Sequence, residues 1–228
     1  MAAPAEIALV IPASNTVMEK DFRRMGRDDL NMTIWRLPLE SVTREAEERM
    51  LSDELPKSLK EIAGTRPDLV VFGCTSASSL GGLAHDARIG RQIEMSTGAG
   101  AVTVVASMVE QLDARRPAQV ALFTPYASEL TRSMAACLGE AGFHVVVANG
   151  MGIEDNNVIG AMTPDEICDF VAPRMKGVNA DCVFLSCTNW RAAEALEKLT
   201  PALGLPVCSS NQVTFDTVAE RLAAPVVR

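Results

Sequence analysis

The chain has 228 residues, of which 48% are hydrophobic and 22% charged, the profile of an ordinary folded protein with ample material for a core. Its formal net charge of −8 argues against nucleic acid or an anionic membrane surface as partner, since both are recognised through clustered Lys and Arg. No apolar run reaches the length of a membrane span, and the opening MAAPAEIALVIP enters a strand-like run without the basic flank and cleavage site of a secretory leader, so a cytoplasmic location is expected.

In chain order, short β-branched runs alternate with longer stretches of helical periodicity, the pattern of βαβ units and a parallel sheet. The pattern predicts strands at Ile7–Ile11, Met32–Arg36 and Leu69–Phe72, and a short one at Ile93–Met95. Helices are predicted over Thr16–Met25, Arg44–Ala63, Leu80–Ile89 and Ala99–Asp113, with the mixed charges of 48–61 on a solvated face. Strands resume at Val120–Phe123, Phe143–Val147, Cys182–Leu185 and Pro206–Cys208. The helices between and after them are predicted at Ser128–Ala141, Pro164–Lys176, Trp190–Leu203 and Val213–Leu222. Thr163-Pro164-Asp165-Glu166 is a helix start, with a capping threonine, proline at the first helical position and acids in the first turn.

The chain also repeats itself. Sliding the sequence by 113 residues, the separation of Cys74 and Cys187, lays Pro12 on Pro125, Gly26 on Gly139, Gly64 on Gly177 and Asp68 on Asp181. In the same register Cys74-Thr75 falls on Cys187-Thr188 and Ser96 on Ser209. The expected fold is therefore α/β, with two pseudo-symmetric four-stranded parallel-sheet halves and a site in the cleft between them. Residues 1–97 form the first half and 98–209 the second, with 210–228 expected to pack back on the first.

Ligands of parallel α/β folds bind beyond the carboxyl ends of the strands. Four polar loops stand there: Pro12–Thr16, Cys74–Ser78, Thr124–Ser128 and Ser186–Asn189. Their Ser, Thr and Asn residues suit helix capping, and their free N–H groups suit an anion. A free cysteine is usually a small buried hydrophobe, and Cys137, Cys168, Cys182 and Cys208 read that way. Cys74 and Cys187 differ: each stands where an apolar strand turns into a polar loop, each precedes a threonine, and the repeat relates them. A thiol at a helix N-terminus is expected to have a lowered pKa and to serve as nucleophile or acid/base. Tyr126, the sole tyrosine, follows a strand end; Asn15 reads equally as a cap or a ligand contact; Asn156 and Asn157 lie in a long loop, Gly150–Thr163, able to cover a cleft. His85 reads as a helix-surface residue and His144 as structural. There is no G-x-G-x-x-G, no phosphate-binding G-x-x-x-x-G-K and no C-x-x-C, and only two histidines, so no cofactor and no metal are expected.

The sequences Pro12-Ala-Ser-Asn-Thr-Val-Met-Glu19, Gly73-Cys-Thr-Ser-Ala-Ser78 and Ser186-Cys-Thr-Asn-Trp-Arg191 closely resemble the maleate cis–trans isomerase family of the Asp/Glu racemase superfamily, a relative of arylmalonate decarboxylase, over essentially the whole chain. The resemblance implies a cofactor-free isomerase of a small dicarboxylate. Cys74 would add to an olefinic carbon, and Cys187 would give and later remove a proton at the other. It also places Asn15, Tyr126 and Asn156 at substrate-binding positions, with the cysteine loops, Thr75, Ser76, Thr188 and Asn189, supplying amides to the carboxylates. Trp190 departs from the family pattern, which has an aliphatic residue after the second Cys-Thr-Asn.

Three other readings compete. Decarboxylases of the arylmalonate type have glycine at the first cysteine position, so Cys74 counts against them. A two-cysteine amino-acid racemase suits the repeat, and a non-catalytic small-carboxylate-binding protein would keep the cleft. The loops favour unequal roles, since Asn15 corresponds to Ser128 and Tyr126 to Ala13. The apolar content also permits a homo-oligomer.

Overall fold

The computed structural model describes residues 4–26 and 30–223. Each half is a four-stranded parallel sheet. The first has the order β2-β1-β3-β4, from β1 (Ala5–Pro12), β2 (Leu30–Leu37), β3 (Leu69–Phe72) and β4 (Gly100–Thr103). The second repeats it as β6-β5-β7-β8, from β5 (Gln119–Thr124), β6 (His144–Gly150), β7 (Cys182–Leu185) and β8 (Val207–Ser209). Central strands covered on both faces must be apolar throughout, and Leu-Val-Val-Phe in β3 and Cys-Val-Phe-Leu in β7 are buried at every position.

The helices of the first half are α1 (Met18–Met25), α2 (Arg44–Arg49), α3 (Leu55–Thr65), the one-turn α4 (Thr75–Ser79) and α5 (Gly82–Thr97). A π-helical turn, Met50–Glu54, joins α2 to α3, so the helical path is continuous from Arg44 to Thr65. Then follow α6 (Val104–Arg115), α7 (Ser128–Glu140), α8 (Asn156–Ala161), α9 (Pro164–Arg174), α10 (Ala192–Leu203) and α11 (Ser210–Ala223). Thr163 begins α9 with a full capping box: its side chain accepts from Glu166 N–H while the Glu166 carboxylate accepts from Thr163 N–H.

The predicted strand at Ile93–Met95 is not one. Those residues lie in α5, whose Ile89 and Ile93, four apart, face the core, and the fourth strand follows Gly98, which ends the helix at φ +72°. The 113-residue register therefore holds through three strands and breaks at the fourth, where Thr103 and Ser209, the strand ends, are 106 apart. The first sheet accordingly runs to Thr103, past the expected division at 97.

The helix after each fourth strand crosses to the opposite half. From α6, Val105, Met108 and Leu112 pack with Val120, Leu122 and Phe184 of the second sheet. From α11, Phe215 and Val218 pack with Ile7, Leu9 and Val71 of the first, and Phe215 meets Phe22 edge-on with centroids 5.3 Å apart. This exchange buries apolar faces of both helices between the halves and fixes the relative position of the two sets of strand ends. No helix among the described residues is long and apolar enough to cross a membrane.

Candidate active site

The two central strands that carry the cysteines end in the same way. Gly73 N–H donates to the Val10 carbonyl at 2.8 Å, and Ser186 N–H, its repeat partner, donates to the Phe123 carbonyl at 2.8 Å. The next residue in each half is the cysteine. A Cβ at Gly73 would collide with Met18 Sδ and lie 2.7 Å from Ile11 Cγ2, so any larger residue there forces these neighbours or the strand end to shift. Cys74 caps α4 in an extended conformation, whereas Cys187 enters a turn that precedes α10.

Both thiols line one narrow cavity between the halves. Asn15, Thr75, Ser76, Tyr126, Asn156, Thr188 and Asn189 line it with them, so the structure brings together every site residue singled out from the sequence. Pro12, Leu39 and Val42 complete the wall. No Lys, Arg or His is among the lining residues, so an anion held there meets only neutral donors. The cavity is deeply set: Cys74 and Cys187 are 4% and 3% exposed. Its cover comes from the loops after β2 and β6, which Val42 N–H joins by donating to the Glu154 carbonyl at 2.8 Å. A wider groove elsewhere, bordered by Asp86, Glu110 and Arg221, contains neither cysteine.

A hydrogen-bond network crosses the cleft. Asn15 Oδ1 accepts from Val17 and Met18 N–H, both at 3.1 Å, which is a capping role, while its Nδ2 donates to Thr188 Oγ1 at 3.1 Å. One amide hydrogen of Asn15 is left for a ligand. Asn189 is committed to the scaffold: its Oδ1 accepts from Thr16 N–H at 2.9 Å and its Nδ2 donates to the Asn156 carbonyl at 2.6 Å. Asn156 begins α8, donates to Ser14 Oγ at 2.8 Å and so forms part of the cover, while Asn157 faces solvent.

Neither thiol is acidified at rest. Burial pushes Cys187 up to about 12, opposed by the Tyr126 hydroxyl and the Asn189 and Trp190 amides, which favour its thiolate. Asn189 N–H donates to Cys187 Sγ at 3.3 Å. Burial raises Cys74 further, reinforced by repulsion from Glu47 and opposed by the Ala77 amide and the Ser76 hydroxyl. The expected lowering by a helix terminus is thus present but outweighed, because the site is buried and no cationic side chain lines it. Burial, with the thiols beside it, holds the Tyr126 phenol well above its ordinary value, so it remains a hydrogen-bond donor.

Trp190 leaves the cavity untouched. It is fully buried beneath the loop, against Phe170 at 6.4 Å between ring centroids. His85 is half-buried on α5, its ring bonded to the Ala77 carbonyl at 3.2 Å, and takes no part in the cavity. One residue beside the site was not singled out from sequence. Glu47 on α2 is fully buried and accepts a hydrogen bond from Ser76 Oγ. In Arg44-Glu45-Ala46-Glu47-Glu48-Arg49 it reads as helix surface, yet it lies three and four residues before Met50 and Leu51, on the face that the apolar spacing turns inward.

Residues 7–226 match the family model described as arylmalonate decarboxylase. The chain belongs to the arylmalonate decarboxylase family. Among curated relatives it is 25% identical to a maleate isomerase of Geobacillus stearothermophilus, over 97% of this chain and 93% of that one. Its fold matches a cysteine-to-serine variant of Nocardia farcinica maleate cis–trans isomerase with a covalently bound succinylcysteine intermediate, at a TM-score of 0.88 and 21% identity, covering 98% and 95% of the two chains. It matches likewise a glycine-to-cysteine, cysteine-to-serine double variant of arylmalonate decarboxylase in liganded form, at a TM-score of 0.86 and 23% identity over 98% and 94%. Family membership and this fold extend over both halves, including the exchanged helices.

Proposed function

We propose that the chain is a cofactor-independent isomerase that converts maleate, or a closely related small cis-dicarboxylate, to its trans isomer through a covalent adduct on Cys74. The observation that carries this reading is the pair of thiols on opposed strand ends of one cavity walled by neutral donors. The similarity to maleate isomerases supports it, as does the succinylcysteine adduct described for the Nocardia protein.

In this mechanism the Cys74 thiolate forms a C–S bond to one olefinic carbon, and the π electrons move to the neighbouring carbon and its carboxylate. Cys187 delivers its proton to that carbon, leaving a succinyl thioether whose former double bond now rotates. The Cys187 thiolate then removes the proton, the double bond re-forms in the trans geometry, and the C–S bond breaks to return the Cys74 thiolate. Asn15, Tyr126 and Asn156, with the amides of Thr75, Ser76, Thr188 and Asn189, hold the carboxylates and the charge that develops on one of them. Six free cysteines, two of them needed as thiols, suit a reducing cytoplasm.

The test is to incubate the protein with maleate and follow fumarate by NMR, then to seek an adduct of maleate mass on Cys74 in Cys187→Ser. An adduct on Cys187 in Cys74→Ser, with none on Cys74, would reverse the two roles. Turnover of aspartate or glutamate without turnover of maleate would make the chain a racemase. Release of carbon dioxide from an arylmalonate, again without maleate turnover, would make it a decarboxylase.

A further inference from the structure

Glu47 carries a carboxyl group into a place where a buried charge is costly, and the attraction of Arg44 and the Ser76 hydroxyl offset only part of that cost. It is fully buried, and its Oε2 has no hydrogen-bond partner. No ion pair to it exists among the described residues, and the neighbouring Arg44 guanidinium is engaged by Glu48 and Glu129. Its one polar contact is Ser76 Oγ, which donates to Oε1 and lies 3.8 Å from Cys74 Sγ. An apolar side chain would fill such a position at lower cost. The carboxyl, the hydroxyl and the thiol form a single file from α2, across α4, to the cavity.

We propose that Glu47 is a positioning residue for the nucleophile, accepting the proton of Cys74 through the Ser76 hydroxyl. The thiol proton passes to Ser76 Oγ as the hydroxyl's own proton passes to a Glu47 carboxylate oxygen. The negative charge moves from carboxylate to sulfur, and the net charge of the site is unchanged. The two groups titrate as a pair with one shared proton, so the thiolate forms without releasing a proton to water from a buried site. The other titratable and charged groups facing Glu47 are Cys187 and Tyr126 across the cavity, both protonated at rest, and Arg44 on its own helix. The inference rests on Cys74 being the nucleophile, and not on the identity of the substrate.

The test is the rate of Cys74 carbamidomethylation by iodoacetamide, read by peptide mass from pH 6 to 11, in the unmodified protein, Glu47→Gln and Ser76→Ala. The expected profile for the unmodified protein rises with a midpoint near 8, where Glu47 loses its proton. Both variants should react about 100-fold more slowly at pH 8, with their midpoints displaced upward by the loss of the internal base. Repulsion alone gives the opposite sign, since removing the Glu47 charge would then make Cys74 more reactive. A Glu47→Gln rate equal to or above that of the unmodified protein, or an unaltered Ser76→Ala profile, overturns the proposal. Ser76→Ala retains the buried carboxyl, so it decides the matter even where Glu47→Gln folds poorly. Absence of maleate turnover would sink the isomerase reading while leaving this result interpretable.

Discussion

Asn15 Nδ2 and Thr188 Oγ1 meet at 3.1 Å across the boundary between the halves, and the same threonine hydroxyl donates to the Gly73 carbonyl at 3.0 Å. One side chain of the second half therefore orients the amide of the first and anchors the residue before Cys74. Thr188→Val keeps the shape but leaves two buried polar groups unpaired, an expected loss of about 1–3 kcal/mol of stability. Because Asn15 then loses its orientation, kcat/KM for maleate is expected to fall by more than the stability loss explains at a temperature where the variant is folded. Thermal unfolding beside steady-state kinetics checks both; an unaltered kcat/KM would remove Asn15 orientation from the account.

Gly73→Ala probes the position of Cys74, the proposed nucleophile. The added methyl would overlap Met18 Sδ and Ile11 Cγ2, and with Ile11 held in the sheet the strand end must shift. Overpacking of this kind costs about 1–3 kcal/mol. A displacement near 1 Å at Cys74 is expected to cost about 100-fold in turnover. A folded variant with full activity would show that the cysteine loop tolerates such a shift.

Most of this frame is legible in the sequence, for identifiable reasons. Leu69–Phe72 and Cys182–Leu185 coincide with β3 and β7 because buried parallel strands are uniformly apolar and end sharply at polar loops, and that sharp edge also marks Cys74 and Cys187. The fourth strand is hidden: Gly100-Ala-Val-Thr is short, begins with a glycine and follows Gly98-Ala99, while Ile93-Glu-Met has apolar spacing that a strand shares with a helix. The 113-residue repeat lays Ser96, not Thr103, on Ser209, because the two halves differ in the length of the segment before their last strand. Glu47 is invisible for another reason. Its neighbours Glu45 and Glu48 are exposed, and a buried carboxyl looks the same as an exposed one until the packing of α2 on α4 is known. The raised pKa of each cysteine likewise depends on closure of the site, which the loops around Val42 and Glu154 provide from distant parts of the chain.

Tyr126→Phe tests the proposed role of Cys187 as proton donor. The Tyr126 hydroxyl is one of the groups that favours the Cys187 thiolate against the cost of burial. Without it Cys187 becomes a weaker acid, and proton delivery to the adduct is expected to slow. The expected outcome is a fall in kcat of about 10- to 100-fold with a larger solvent deuterium isotope effect, while carbamidomethylation of Cys74 changes little. A fall confined to KM would instead make Tyr126 a substrate contact only.

Glu47→Gln should also alter how stability depends on pH, with a sign that follows from burial. Burial raises the Glu47 carboxyl from an ordinary 4.5 to about 8, so the folded state holds its proton more tightly than the unfolded chain does. A group whose folded pKa is raised contributes fully below its unfolded value, and that contribution is lost as pH rises through the folded value. The protein should therefore lose stability relative to Glu47→Gln between about pH 4.5 and 8, with the difference levelling off above that range. The change is expected to be about 2–4 kcal/mol, less than the full displacement implies because local rearrangement relieves part of the charge burial. Burial also raises the carboxyls of Asp21 and Asp86, which act in the same direction in both proteins and cancel in the comparison. Denaturant unfolding of the two proteins at pH 5, 7 and 9 measures the difference. A gap that stays constant with pH would mean that Glu47 is not buried as a titrating carboxyl in solution, and the proton file to Cys74 would then lack its terminal acceptor.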